Sequence, residues 1–447
     1  MPLAGVLSAG GRLALAGAFT AAPRAFVSVR ARGLEHDPRQ PATIYAITHK
    51  RDLDAIAPLP ILLAHRGPRG LTRDVRFAMR GDFVQPGFLS RIVRRPDWFA
   101  RALRPLALNA ILRGIGILPL DALYVRPFEA WIREALRAEG DVLIGSILAA
   151  EAIRQVAEAA SEASEALAAR PLSSLLAWRY FPLLQDAIGP EIFAGPARRR
   201  AEQRAVEAAK RQLEECAAWL RSGGSLYTSP EGYLSPDGRI SPIRAGLHRI
   251  LREGPDDALI VPVAIIYDFL TTGRPRMWID VAPPLLGAAR LGPHELEAAL
   301  RTAWLGALRF TCTQLASAVL MERFAAGERS LTARALAHVV LRRARELADA
   351  GRNVDPDLLL PRRARRQAER YLRACERLGV TERVSRGRWA LAREPAPLRG
   401  APDEPGYRTS PIRYALNELR DMLAPRAATL DRGAAGIGPW PRHIASE

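Results

Sequence analysis

His49 and Asp54 stand with four residues between them in Thr48-His49-Lys50-Arg51-Asp52-Leu53-Asp54, directly after the apolar run Ile44-Tyr45-Ala46-Ile47. Where a strand turns into a helix, a histidine and an aspartate at this spacing can meet. The imidazole then takes a proton from a hydroxyl, while the carboxylate orients the ring and offsets its positive charge. That is two members of a catalytic triad, with the substrate's own hydroxyl as nucleophile. A loop histidine followed by a helix-capping aspartate has the same spacing, so the surrounding elements must decide.

Those elements alternate between strand and helix. Alternating or β-branched runs predict strands at residues 26–30, 43–47, 75–79, 114–120, 225–228, 260–266 and 277–281. A helix is expected from about Asp52 into Pro58-Leu59-Pro60, another over 98–112, and long helices over 149–169 and 198–220, the last stopped by Ser222-Gly223-Gly224. The pattern implies an α/β fold: a central mixed sheet covered by helices, with a helical insertion and a mainly helical C-terminal domain. The expected divisions are an N-terminal segment at 1–26, a sheet domain at 27–290 with an insertion at about 128–196, and a helical extension at 291–350. An α+β module at 362–424, resembling a winged helix, and a disordered tail at 425–447 complete them.

Composition narrows the partners. The net charge of +18 comes almost wholly from arginine, lysine occurring only at Lys50 and Lys210. Such a surplus favours an anionic partner: a membrane surface, a nucleic acid or a phosphorylated substrate. Cys216, Cys312 and Cys375 lie far apart without metal-ligand spacing and read as buried, reduced thiols. No run of eighteen apolar residues is present. The Ala-, Gly- and Leu-rich stretch 3–27, interrupted by Arg12 and Arg24, suits a helix lying on a bilayer.

Four segments in order resemble the glycerolipid acyltransferases, which acylate glycerol-3-phosphate or lysophosphatidic acid. They are the H-x-x-x-x-D block at His49 and Asp54, the Gly-rich strand containing Gly116, Ser229-Pro230-Glu231-Gly232, and Val261-Pro262-Val263-Ala264. The likeness covers roughly residues 27–285 and implies a glycerolphosphate acyltransferase-like fold. It also implies His49 as general base and Asp54 as its orienting carboxylate. Glu231, Gly232 and Gly116 would hold the acceptor or supply backbone donors to the oxyanion. No metal or cofactor is implied, since the thioester of acyl-CoA or acyl-carrier protein is already activated. The implied setting is the cytoplasmic face of an anionic membrane, peripheral or monotopic, where the lipid acceptor resides.

The sequence departs from that family at two places. Leu234 stands where the P-E-G block usually continues to an arginine, and the second block ends Leu118-Pro119-Leu120-Asp121 without a basic residue. Arg80, Arg239 and Arg244 are the candidates to replace those cations. Two other readings stand beside this one. A nucleic-acid-binding protein could use the arginine-rich stretch 362–393 as its reader, though nucleic acid is the less favoured partner because that reading leaves the four blocks unexplained. The missing arginines suit a lipid-binding or scaffold protein on the same fold.

Overall fold

The computed structural model describes residues 27–51, 54, 57–65, 75–80, 98, 102, 117–120, 126–184, 187–271, 274–398 and 406–424. The N-terminal segment, Gly116, the tail and most of the expected helix over 98–112 lie outside these. Of the described residues, those within 74–226 form one compact unit, and those within 27–65 and 227–424 form another.

The second unit opens with β1 (Ser28–Arg32) and β2 (Thr43–Ile47), followed by α1 (Pro58–His65). The sequence placed helix from Asp52 up to Pro58. The described helix begins at Pro58, where proline supplies the fixed φ of a first turn and has no N–H to lose; residues 52, 53, 55 and 56 lie outside the described residues.

The first unit carries β3 (Val75–Arg80) and β4 (Ile117–Leu120), paired in parallel from Phe77↔Ile117 to Arg80↔Leu120. Its helical part begins with α2 (Phe128–Glu139) and ends with α3 (Gly195–Arg221). Trp131, Ile132, Ile144, Leu167, Leu172 and Tyr180 fill the core between them. The long helix expected over 149–169 is broken into Ala150–Ala159 and Ser164–Ala168. At the break Ser161 takes φ 54°, and Glu162 pairs with Arg170 at 3.0 Å and Arg179 at 2.9 Å. The tertiary ion pairs thus override a run of good helix formers.

Returning to the second unit, β5 (Ser225–Thr228) lies beside β2, and the division between the units falls within it. Then come α4 (Ala245–Glu253), β6 (Leu259–Asp268) and β7 (Arg276–Val281). β6 runs parallel to β2, β7 antiparallel to β6, and β1 parallel to β7, giving a mixed sheet. All ten residues of β6 are buried, as its β-branched run demands. Pro262 fits this central strand because pairing with β7 begins only at Val263. α5 (Pro293–Ala307) packs on the sheet, its Trp304 indole donating to the Ala46 carbonyl at 3.0 Å.

The C-terminal part contains α6 (Cys312–Ala325), β8 (Ser330–Thr332), α7 (Ala333–Asp349), α8 (Pro361–Arg377), β9 (Thr381–Ser385), β10 (Arg388–Leu391) and α9 (Pro411–Leu423). β10 pairs antiparallel with both β8 and β9, so the strand order is β8-β10-β9. The stretch 291–350, expected to be purely helical, therefore contributes a strand. The three-stranded module starts well before residue 362. Three residues are too few to show an alternating pattern, which is why β8 was not legible.

Candidate functional site

β2 delivers the catalytic candidates. As the strand ends, the Thr48 backbone N–H donates to the Val263 carbonyl, and its hydroxyl accepts from the Ile265 N–H at 2.9 Å, which fixes the exit of the chain on β6. His49 follows with its side chain 18% exposed, and Asp54 is fully buried. His49 Nδ1 lies 3.7 Å from Asp54 Oδ2 and is itself buried without a hydrogen-bond partner. The exposure of the side chain therefore lies at atoms other than Nδ1.

The pair approaches within ion-pair range without a formed hydrogen bond. Asp54 Oδ2 accepts instead from the backbone N–H groups of Lys50 and, at 2.6 Å, Arg51, while Oδ1 accepts from the Tyr267 hydroxyl. Asp54 thus pins the turn that precedes it and faces the imidazole at once. A movement of roughly an ångström would close the Nδ1–Oδ2 hydrogen bond. Such contacts commonly tighten only once substrate is bound. The Tyr227 hydroxyl holds the Asp54 carbonyl at 2.8 Å. Burial, then the nearby Asp54 charge, raises both phenols well above their ordinary range, so they remain donors.

Glu231 is the second anchor. Fully buried, its carboxylate accepts from the His49 N–H at 2.8 Å and from the Ser241 N–H at 2.7 Å. The Ser235 N–H donates back to the His49 carbonyl at 2.8 Å. Burial raises the Glu231 carboxyl, opposed by the Lys50 charge and the two N–H donors. Its place is to lock the 229–244 loop onto His49 rather than to reach outward. Gly232, at φ 77°, is exposed, and its N–H already donates to the Ser229 carbonyl at 3.1 Å. That donor is occupied in a turn, so Gly232 serves the loop by its left-handed backbone.

Among the candidate cations, Arg244 is exposed at the start of α4, stacks 5.0 Å from the Tyr233 ring and lies against Gly232. No carboxylate pairs with it among the described residues. Arg239 is 3.6 Å from Asp237, and its carbonyl accepts from the Ser235 hydroxyl at 2.6 Å. Arg80 ends β3 in the other unit. The structure therefore gathers His49, Asp54, Glu231, Gly232, Arg239 and Arg244 in one unit.

Several participants escaped the sequence. Tyr227 sits on a predicted strand and Tyr267 just past the end of one, but nothing in their spacing marks the carboxylate between them. The Arg51 guanidinium stacks on Tyr267 at 4.8 Å, Phe269 at 4.3 Å and Tyr407 at 4.4 Å. Lys50, one of two lysines in an arginine-rich chain, offered a signal in its rarity. Among the described residues no group of three or more His, Cys, Asp or Glu side chains is placed to hold a metal ion, and no helix is long and apolar enough to cross a membrane. No protein-family model matches the chain, and no curated protein matches it.

Proposed function

We propose that the protein is an acyltransferase that moves a fatty acyl group from acyl-CoA or acyl-carrier protein to a hydroxyl of a glycerolipid acceptor, by default lysophosphatidic acid or glycerol-3-phosphate. The observation that carries this reading is the partly exposed His49 ring, whose buried Nδ1 faces the buried Asp54 carboxylate.

In the proposed step His49 Nε2 takes the proton of the acceptor hydroxyl as its oxygen attacks the thioester carbonyl. Asp54 stabilises the imidazolium formed. The tetrahedral intermediate collapses by breaking the C–S bond, and the leaving thiolate recovers the proton from His49. The ester and the free thiol balance the reaction. Arg244, exposed and without a carboxylate partner among the described residues, is the cation best placed to meet an anionic headgroup, and Arg239 is the second. The charge of +18 supports association with an anionic membrane.

The test is an acyl-transfer assay read by mass spectrometry, with both donors and a panel of phosphorylated and unphosphorylated acceptors. A product that disappears in His49→Ala supports the reading and names the acceptor. Equal product from both proteins, or none from any pair, overturns it.

One observation favours a second reading for the C-terminal module alone. Its helix–strand–helix–helix–hairpin order and β8-β10-β9 sheet support a winged-helix-like reading. Arg362, Arg366, Arg370, Arg373 and Arg377 recur along α8 at exposed positions, in the spacing of one helical face. A row of this kind suits the phosphates of a nucleic-acid duplex.

A further inference from the structure

Arginine outnumbers lysine 63 to 2 in this chain, yet the residue after His49 is Lys50. It is only 2% exposed, and each of its polar groups is engaged by a different segment. Its N–H holds Asp54 Oδ2, its ammonium donates to the Gly238 carbonyl at 2.5 Å, and its carbonyl accepts from the Tyr414 hydroxyl of α9 at 3.3 Å. The ammonium charge also acts on the buried carboxyls of Glu231 and Glu418.

α9 closes around this point. Gly238 has φ 95°, and a Cβ there would come within 2.4 Å of the Tyr414 carbonyl oxygen and 3.0 Å of Glu418 Cγ. Asp421 on the same helix accepts from the Ile240 N–H at 2.8 Å and from Arg301 at 2.6 Å. Beneath this helix the Lys50 ammonium has one acceptor, the Gly238 carbonyl. A guanidinium would bring five donors, most of them left unsatisfied. The need for a compact cation accounts for lysine here.

We propose that Lys50, with Glu418 and Tyr414 of α9 as its counterparts, is a positioning residue that holds the Asp54 carboxylate in register with the His49 imidazole. Its backbone N–H is one of the two that orient Asp54 Oδ2, so where the Lys50 side chain is fastened decides where that oxygen points. The inference deepens the acyltransferase reading and rests on it for its kinetic readout.

Lys50→Met keeps the length of the stem and removes the charge. Two readouts are followed beside the melting temperature: kcat and KM for acyl transfer, and the His49 imidazole titration by NMR. The expected result is a fall in kcat of about tenfold or more with KM changed less than about threefold, and a displaced His49 titration in a protein that remains folded. Lys50→Arg does not rescue. Glu418→Gln added to Lys50→Met costs less than it does alone, because the Lys50 charge acts on the Glu418 carboxyl. If Lys50→Met does not fold, Tyr414→Phe, which removes one hydroxyl, carries the test with a smaller change in the same direction. A wild-type His49 titration in a folded variant overturns the proposal, as does a kcat within about twofold of wild type. A wild-type protein without transferase activity sinks the functional reading instead, and the titration still decides the role of Lys50.

Discussion

At the residue scale the site is a histidine whose partner carboxylate is already spoken for. Asp54 accepts two backbone N–H groups and a tyrosine hydroxyl before it faces His49. The carboxylate cannot rotate away, so the 3.7 Å gap must be closed by the ring or the loop. Asp54→Asn replaces an acceptor with an amide that can donate to Nδ1 and so stabilise the wrong tautomer. We expect kcat to fall by about 10²- to 10⁴-fold with KM little altered, as measured by steady-state acyl transfer. A loss confined to KM would assign Asp54 to binding. The spacing of His49 and Asp54 was legible because both lie on one short turn. The tyrosines that hold Asp54 were not, since Tyr267 lies 213 residues away and meets it only through the sheet.

At the element scale the strands read well wherever burial dictates composition. The run 260–266 lies within β6, and 43–47 is β2 itself. Elements governed by distant partners read poorly: the break after Ala159 depends on arginines at 170 and 179, and α9 looks like any amphipathic helix. Yet α9 bears the group with the clearest pH signature. Burial raises the Glu418 carboxyl to about 7, opposed by the charges of Lys50 and Arg51 and by the Gln314 amide, with Asp54 adding to the rise. A folded-state value above the ordinary 4.5 means that the folded protein binds this proton more tightly than the unfolded chain. Its stabilisation is complete below pH 4.5 and is lost as the pH rises through about 7. The span corresponds to on the order of 3 kcal/mol. Denaturant unfolding between pH 4 and 8 should show that decline in wild type and a flatter profile in Glu418→Gln. Identical slopes would show that the carboxyl is not linked to folding.

At the scale of the whole molecule the charge of +18 sets up a contest between two anionic partners. Titration with vesicles containing anionic lipid, and separately with duplex DNA, distinguishes them. For the acyltransferase reading we expect retention on anionic but not neutral vesicles, weakening steeply as salt shortens the range of the charges. Replacing Arg362, Arg366 and Arg370 together should then leave retention mostly intact. Tight duplex binding abolished by that triple change would move the C-terminal module to the second reading. The packing of α9 has a further consequence, in time rather than space. The turn after His49 leaves the ribosome early, but Asp421 follows 372 positions later. At ordinary elongation rates the delay is roughly 20 to 75 s. During that interval the nascent chain carries its histidine and aspartate without the helix that fastens them, so a product cut short before residue 411 should be chemically silent however well its sheet has folded.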